Sequence, residues 1–237
     1  MNMTPEELNN IDRSTDDKLK KAKFSFELVP FDKLVDESMT ELDLVKPEDC
    51  VSFGYDWLDY KLTGLFPSEL VVLGGVTGVG KTTLATRILY KAAVNQGIKC
   101  ALFALEDRLM DYGIKAVFFE LNKVRTEKGL TAYPWNEYRK NALSDPQYKI
   151  HRKEAEVRIK NQLVHFVRVK EQMDIEKLEI MLRDFTAQGF KLFLIDHLHY
   201  FEMNRGGDSK ADYIEKLMVR LKKVQNEIGA RVIMVVH

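Results

Sequence analysis

The chain is sparing in the features that announce many function classes. It has two cysteines, Cys50 and Cys100, and they have no metal-ligand spacing. That leaves no cysteine-built metal centre and suits a reducing cytoplasm. Cys100 lies within an apolar run and reads as a buried thiol. No apolar stretch approaches the roughly 20 residues of a membrane span. The N-terminus is polar and acidic, unlike a signal peptide. Charge of one sign is also missing: 36 basic residues meet 36 acidic ones. With no global basic field, any nucleic-acid binding must use a local patch. There is no internal repeat and no low-complexity tract.

What is present is an ordinary globular composition, with 45% hydrophobic and 30% charged residues over 237 positions. That length suffices for one large α/β domain with a well-buried core. Residues 1–50 are expected to be a polar tail and linker. The first 22 or so carry no apolar period, and 24–50 mix short apolar pieces with acids. A compact domain is expected over 51–237.

Within it, apolar strands alternate with helices. Strands are expected at 70–74, 99–104, 164–169, 191–195 and 231–236. Near-continuous apolar strands spaced by helices predict a mostly parallel sheet with helices on both faces. Asp174 is placed to cap a helix with Ile175, Leu178, Met181, Leu182 and Phe185 on one face, ended by Gly189. Ile214, Leu217, Met218, Leu221, Val224 and Ile228 stripe a last helix closed by Gly229. These stripes are core packing. The interval 107–163 should hold several helices, with a loop near Gly129 to Trp135.

The chemistry is concentrated in Gly75-Val76-Thr77-Gly78-Val79-Gly80-Lys81-Thr82. It follows the run Leu70 to Gly74 and precedes a helix-forming run from Thr83, which is the strand–loop–helix context of a phosphate-binding loop. Glycines let the backbone amides of Gly75, Thr77, Gly78, Val79, Gly80, Lys81, Thr82 and Thr83 turn around a polyphosphate, and the helix N-terminus adds partial positive charge. Lys81 can reach the β- and γ-phosphates, and the Thr82 hydroxyl can ligate magnesium. ATP or another NTP, with Mg2+, is therefore the expected cofactor pair.

Ligands of open parallel sheets sit at the carboxyl ends of strands. Asp196 ends the run Leu192 to Ile195, where a carboxylate can hold the magnesium. Glu106 ends the second strand and is the first choice for the base that takes a proton from water, with Asp107 its rival. His237 ends the fifth strand, where a histidine can donate to a γ-phosphate. The loop Met203 to Lys210 is glycine-rich and carries Arg205 and Lys210; it can track a phosphate backbone or serve as a plain connector. Residues 139–160 carry seven Lys or Arg against three acids. Such a run is most often a solvated helix face.

The order of these motifs resembles the RecA-like hexameric replicative helicases of the DnaB class. The lead-in Val51 to Asp59, Leu62-Thr63-Gly64-Leu65 and Glu69-Leu70 carry the likeness, as does Leu105-Glu106. Ile195-Asp196-His197-Leu198, the helix over 211–228 and Val235-Val236-His237 look closest to phage primase–helicases and Twinkle. The resemblance covers about 51–237. It implies a RecA-like P-loop NTPase core that moves along single-stranded DNA as a self-associated ring. It also implies a histidine strand between the phosphate-loop and Asp196 strands, a DNA-facing loop around Arg205 to Lys210, and a segment like 24–50 packed on the neighbouring subunit. The family pattern continues beyond His237 with another strand, a second DNA-facing loop and an arginine finger. The isolated chain is therefore expected to turn over weakly. Two rival readings are a recombinase-like or clock-protein-like ATPase, and a non-hydrolysing nucleotide-binding piece that needs a partner to supply the rest.

Overall fold

The computed structural model describes residues 28–105, 108–136, 138, 145–160, 163–169, 173–198, 200–201 and 209–236, without the side chains of Pro47 and Lys210. Two compact units divide at Lys46 and Pro47. In the first, α1 (Phe31–Leu44) starts after Pro30, whose fixed φ suits a helix entry. Phe31, Leu34, Val35, Met39 and Leu42 fall on one face at helical spacing, and all are exposed.

The second unit is a five-stranded parallel sheet wrapped by helices. After a 3-10 turn (Pro47–Asp49) come α2 (Asp56–Leu62), β1 (Leu70–Leu73), α3 (Lys81–Gln96) and β2 (Cys100–Ala104). Next are α4 (Leu109–Glu127), α5 (Pro146–Lys160), β3 (Val164–Val167), α6 (Ile175–Ala187), β4 (Leu192–Asp196), α7 (Lys210–Ile228) and β5 (Arg231–Val235). The strand order is β1-β5-β4-β2-β3, and every pair is parallel. All five expected strands form, within a residue or two of the expected limits.

Side-chain alternation along the strands builds two separate cores. Ala101, Phe103, Phe193, Ile195, Val232 and Met234 point to one face and pack with Leu178 and Leu182 of α6 and Leu217, Leu221 and Val224 of α7. Cys100, Leu102, Leu192, Leu194, Ile233 and Val235 point to the other. There they meet Ala85, Ile88, Leu89, Ala92 and Ala93 of α3 and Tyr112 of α4. The caps are as the residue types dictate: the Asp174 carboxylate accepts from the Lys177 amide at 2.8 Å, and Gly229 ends α7 in the left-handed region.

The lead-in to β1 is folded tightly. Val51 and Leu65 exchange backbone hydrogen bonds at 2.9 and 2.8 Å. Asp59 accepts from the Phe53 amide at 2.7 Å, the Ser52 hydroxyl at 2.8 Å and the Gly54 amide at 3.1 Å. Arg231, at the start of β5, is buried and donates to the carbonyls of Leu65, at 3.1 Å, and Asp49. Burial lowers the pKa of its guanidinium, and these carbonyls hold it in place.

Helices α4 and α5 form an antiparallel pair beside α3. Glu120 of α4 is buried; it accepts from the Tyr90 hydroxyl of α3 and from Arg158 of α5 at 3.3 Å. Burial, and then Glu120, push the Tyr90 phenol well above its usual range. The basic stretch is not uniformly a solvated face, because Tyr148, His151 and Ala155 of α5 are buried and Arg158 is drawn into this network.

Candidate functional site: the phosphate loop and the ends of the strands

Strand β1 delivers the chain into the loop 74–80, all of it exposed, and α3 takes over at Lys81. Gly78 and Gly80 have φ of 86° and 95°. An L side chain rarely adopts such values, so the loop's path requires glycine there. An added Cβ at either glycine would meet nothing within 4 Å, so the space beside the loop is open. Gly80 is the N-cap of α3 and offers no side-chain cap. The first helical bond runs from the Leu84 amide to the Gly80 carbonyl at 2.9 Å. The amides of the preceding residues fall outside the helix ladder and add up to a concentrated set of donors. The Lys81 ammonium lies across this loop, donating to the Gly75 carbonyl at 2.6 Å and the Val76 carbonyl at 2.9 Å.

Asp196 closes β4 and is 1% exposed. The pairings Leu73 with Val235, Val235 with Asp196 and Asp196 with Ala104 set four residues in one row across the sheet. Asp196 is two strands from the residue that leads into the phosphate loop, about 10 Å at the usual strand spacing. Alternation turns its side chain toward the α3 face, since Leu192 and Leu194 point there. The peptide that follows it, Asp196–His197, is cis. Its Oδ2 accepts from the Tyr112 hydroxyl at 2.7 Å, and its carbonyl accepts from the Leu105 amide at 2.8 Å.

These donors fit a polyphosphate and a magnesium ion. Uncapped amides at a helix N-terminus, a lysine and a threonine suit the anion. Among the described residues there is no cluster of three His, Cys, Asp or Glu. Magnesium bound through phosphates needs only one or two protein carboxylates. The fold thus brings Lys81, Thr82 and Asp196 to one end and one face of the sheet. The strand expected to carry the histidine, β5, does lie between β1 and β4. Glu106, its rival Asp107, Arg205 and His237 lie outside the described residues, and Lys210 is described only as the first residue of α7. A cavity of about 400 Å3 between α3 and α4, lined by Arg87, Lys91, Phe119 and Lys123, starts more than a turn beyond Lys81 and is separate from the loop.

Sequence reasoning missed Tyr112. It stands between Asp111 and Gly113 at the start of a helix, 84 positions from its partner. Nothing in the local pattern distinguishes it from a core tyrosine.

Residues 50–237 match the family model described as DnaB-like helicase C terminal domain. The chain belongs to that family. The replicative DNA helicase DnaB of Pasteurella multocida (strain Pm70) is 32% identical over 90 residues, which take in 36% of this chain and 19% of that protein. The chain therefore matches about a fifth of the length of that relative. Among solved structures, one described as an ATPase domain superposes with a TM-score of 0.67 at 17% identity, covering 88% of this chain and 71% of that one. A DnaB-like replicative helicase, solved in a study of its interactions with primase, gives 0.69 at 17% identity, covering 95% and 52%. At such identities these likenesses show the fold, which is the RecA-like ATPase fold. The DnaB-type domain is thus a P-loop ATPase domain. Among the described residues, no helix is long and apolar enough to cross a membrane.

Proposed function

We propose that residues 51–237 form the NTP-hydrolysing motor of a replicative DNA helicase that translocates on single-stranded DNA, preceded by a tail and linker over 1–50. The observation that carries this reading is the placement of Lys81, Thr82 and Asp196 on one face of the sheet, at the carboxyl ends of β1 and β4. In this reading Lys81 exchanges the carbonyls of Gly75 and Val76 for β- and γ-phosphate oxygens. The amides of Gly75, Thr77, Gly78, Val79, Gly80 and Thr83 line the phosphates. Thr82 and Asp196 hold Mg2+, which would neutralise charge on the phosphates. Glu106 takes the proton from the attacking water, and His237 donates to the γ-phosphate.

Arg205 and Lys210 contact the DNA backbone, and the apolar, acidic helix α1 packs on a neighbouring subunit in a ring. Phage or prokaryotic replication in the cytoplasm is the matching setting. Two measurements test the reading. Lys81→Ala should weaken NTP binding at least tenfold by calorimetry, through loss of a charge-assisted phosphate contact. Equal affinity in the two proteins defeats the nucleotide assignment. Strand displacement from a forked substrate by the assembled ring separates a helicase from a recombinase-like or clock-protein-like ATPase. A ring that hydrolyses NTP but displaces no strand defeats the helicase assignment.

A further inference from the structure

We infer that Tyr112 is a positioning residue for the magnesium-holding carboxylate, acting through Asp196. The inference rests on the magnesium role given to Asp196 above. Tyr112 is fully buried in the first turn of α4 and donates its hydroxyl to Asp196 Oδ2 at 2.7 Å. Its ring is fixed from two sides, with Phe166 of β3 at 6.3 Å between centroids and the Lys115 ammonium 5.4 Å over the face. The helix that bears it is held further along, where Glu120 meets Tyr90 of α3 and Arg158 of α5. The hydroxyl therefore arrives at the carboxylate from a rigid support.

The chemistry of the donor matters. A phenol is neutral, so it orients one carboxylate oxygen without cancelling the negative charge that a cation needs. A lysine or arginine in its place would compete with the metal. Partners of this kind, one step behind a metal-holding group, set its orientation and are worth roughly 10- to 100-fold in metal affinity or activity.

The test is a magnesium titration of nucleotide binding with the full chain, using a fluorescent ATP analogue with MgCl2, beside a titration in EDTA. Tyr112→Phe should move the magnesium midpoint at least tenfold upward and leave the EDTA affinity, carried by Lys81 and the loop amides, unchanged. Asp196→Asn serves as the reference, and the double variant Tyr112→Phe/Asp196→Asn should be no worse than Asp196→Asn alone. The double variant also removes the buried charge, so it reports even where Tyr112→Phe folds poorly. An unmoved midpoint in Tyr112→Phe, where Asp196→Asn moves it, overturns the inference and leaves the site reading standing. Equal losses in EDTA and in magnesium mean general damage and overturn it too. An additive double variant also overturns it. If Asp196→Asn itself leaves the midpoint in place, the magnesium role of Asp196 falls and the inference with it.

Discussion

Arg158→Met should be among the most destabilising single changes on α5, and the structure lets the size be worked out. The guanidinium reaches three carboxylates: Glu127 at 2.7 Å, Glu154 at 2.7 Å and Glu120 at 3.3 Å. Together they raise its pKa above the ordinary range, Glu127 most. Stability weighs the three differently. Glu127 and Glu154 are substantially exposed, and exposed pairs are worth about 0–1 kcal/mol each. Glu120 is 2% exposed, so its charge cannot be handed back to water. At 3.3 Å and an effective dielectric of about 20, the gross attraction is about 5 kcal/mol. Arg158 is 35% exposed and therefore screened, and Tyr90 still donates to Glu120 in the variant, so roughly half of that is lost. The expected total is about 3 kcal/mol, or a fall in Tm of roughly 6–12 °C for a protein of this size. Methionine keeps the apolar stem, which separates charge from packing. Adding Glu120→Gln in the Arg158→Met background should recover about 2 kcal/mol, because it removes the stranded charge. Urea unfolding and scanning calorimetry read both. A loss under about 1 kcal/mol for Arg158→Met, or a double variant as unstable as the sum of its parts, refutes the argument that Glu120 is a buried charge held by Arg158.

Two further outcomes are expected. Replacing Arg205 and Lys210 with Gln should lower the slope of log affinity against log salt for single-stranded DNA by about 1.4, the value for two phosphate contacts on a single strand; an unchanged slope places the contact elsewhere, first in the basic stretch 139–160. Burial pushes the Cys100 thiol from its ordinary value near 9 up to about 12, so the native chain keeps a proton that the unfolded chain gives up. Its contribution to stability is complete below pH 9 and lost as pH rises from there toward 12. Alkylation at about pH 8, followed by mass spectrometry, should modify Cys100 only in denaturant, and rapid native labelling would contradict this.

The strands and the phosphate loop were legible because each depends on local pattern. Apolar runs such as Leu192 to Ile195 can only be buried strands when turn residues bound them, and Gly78 and Gly80 mark a backbone path that other residues resist. Asp196 was legible by position, as the first carboxylate after such a run. Tyr112 and the Tyr90–Glu120–Arg158 group were not, because each depends on which helix face meets which, and no periodicity encodes that. Arg158 counted among seven basic residues until its burial partner gave it a different role. Arg231 opens a strand and is buried against the carbonyls of Asp49 and Leu65, a pairing that no local pattern in the sequence encodes.

The order of the strands has a consequence for how the molecule is made. β1 leads into the phosphate loop and is the first described strand to be synthesised, yet its neighbour is the last described strand, β5, with Leu70 opposite Val232 some 160 residues later. At roughly 5–20 residues per second on a ribosome, β1 waits about 10 to 30 seconds for its partner. During that time the apolar run Leu70-Val71-Val72-Leu73 lies beside no native strand. β2, β3 and β4 can pair with one another meanwhile, but the nucleotide loop has no sheet to spring from. A nascent chain stalled before Arg231 should therefore hold a partly built sheet, rely on chaperones to shield β1, and bind no nucleotide.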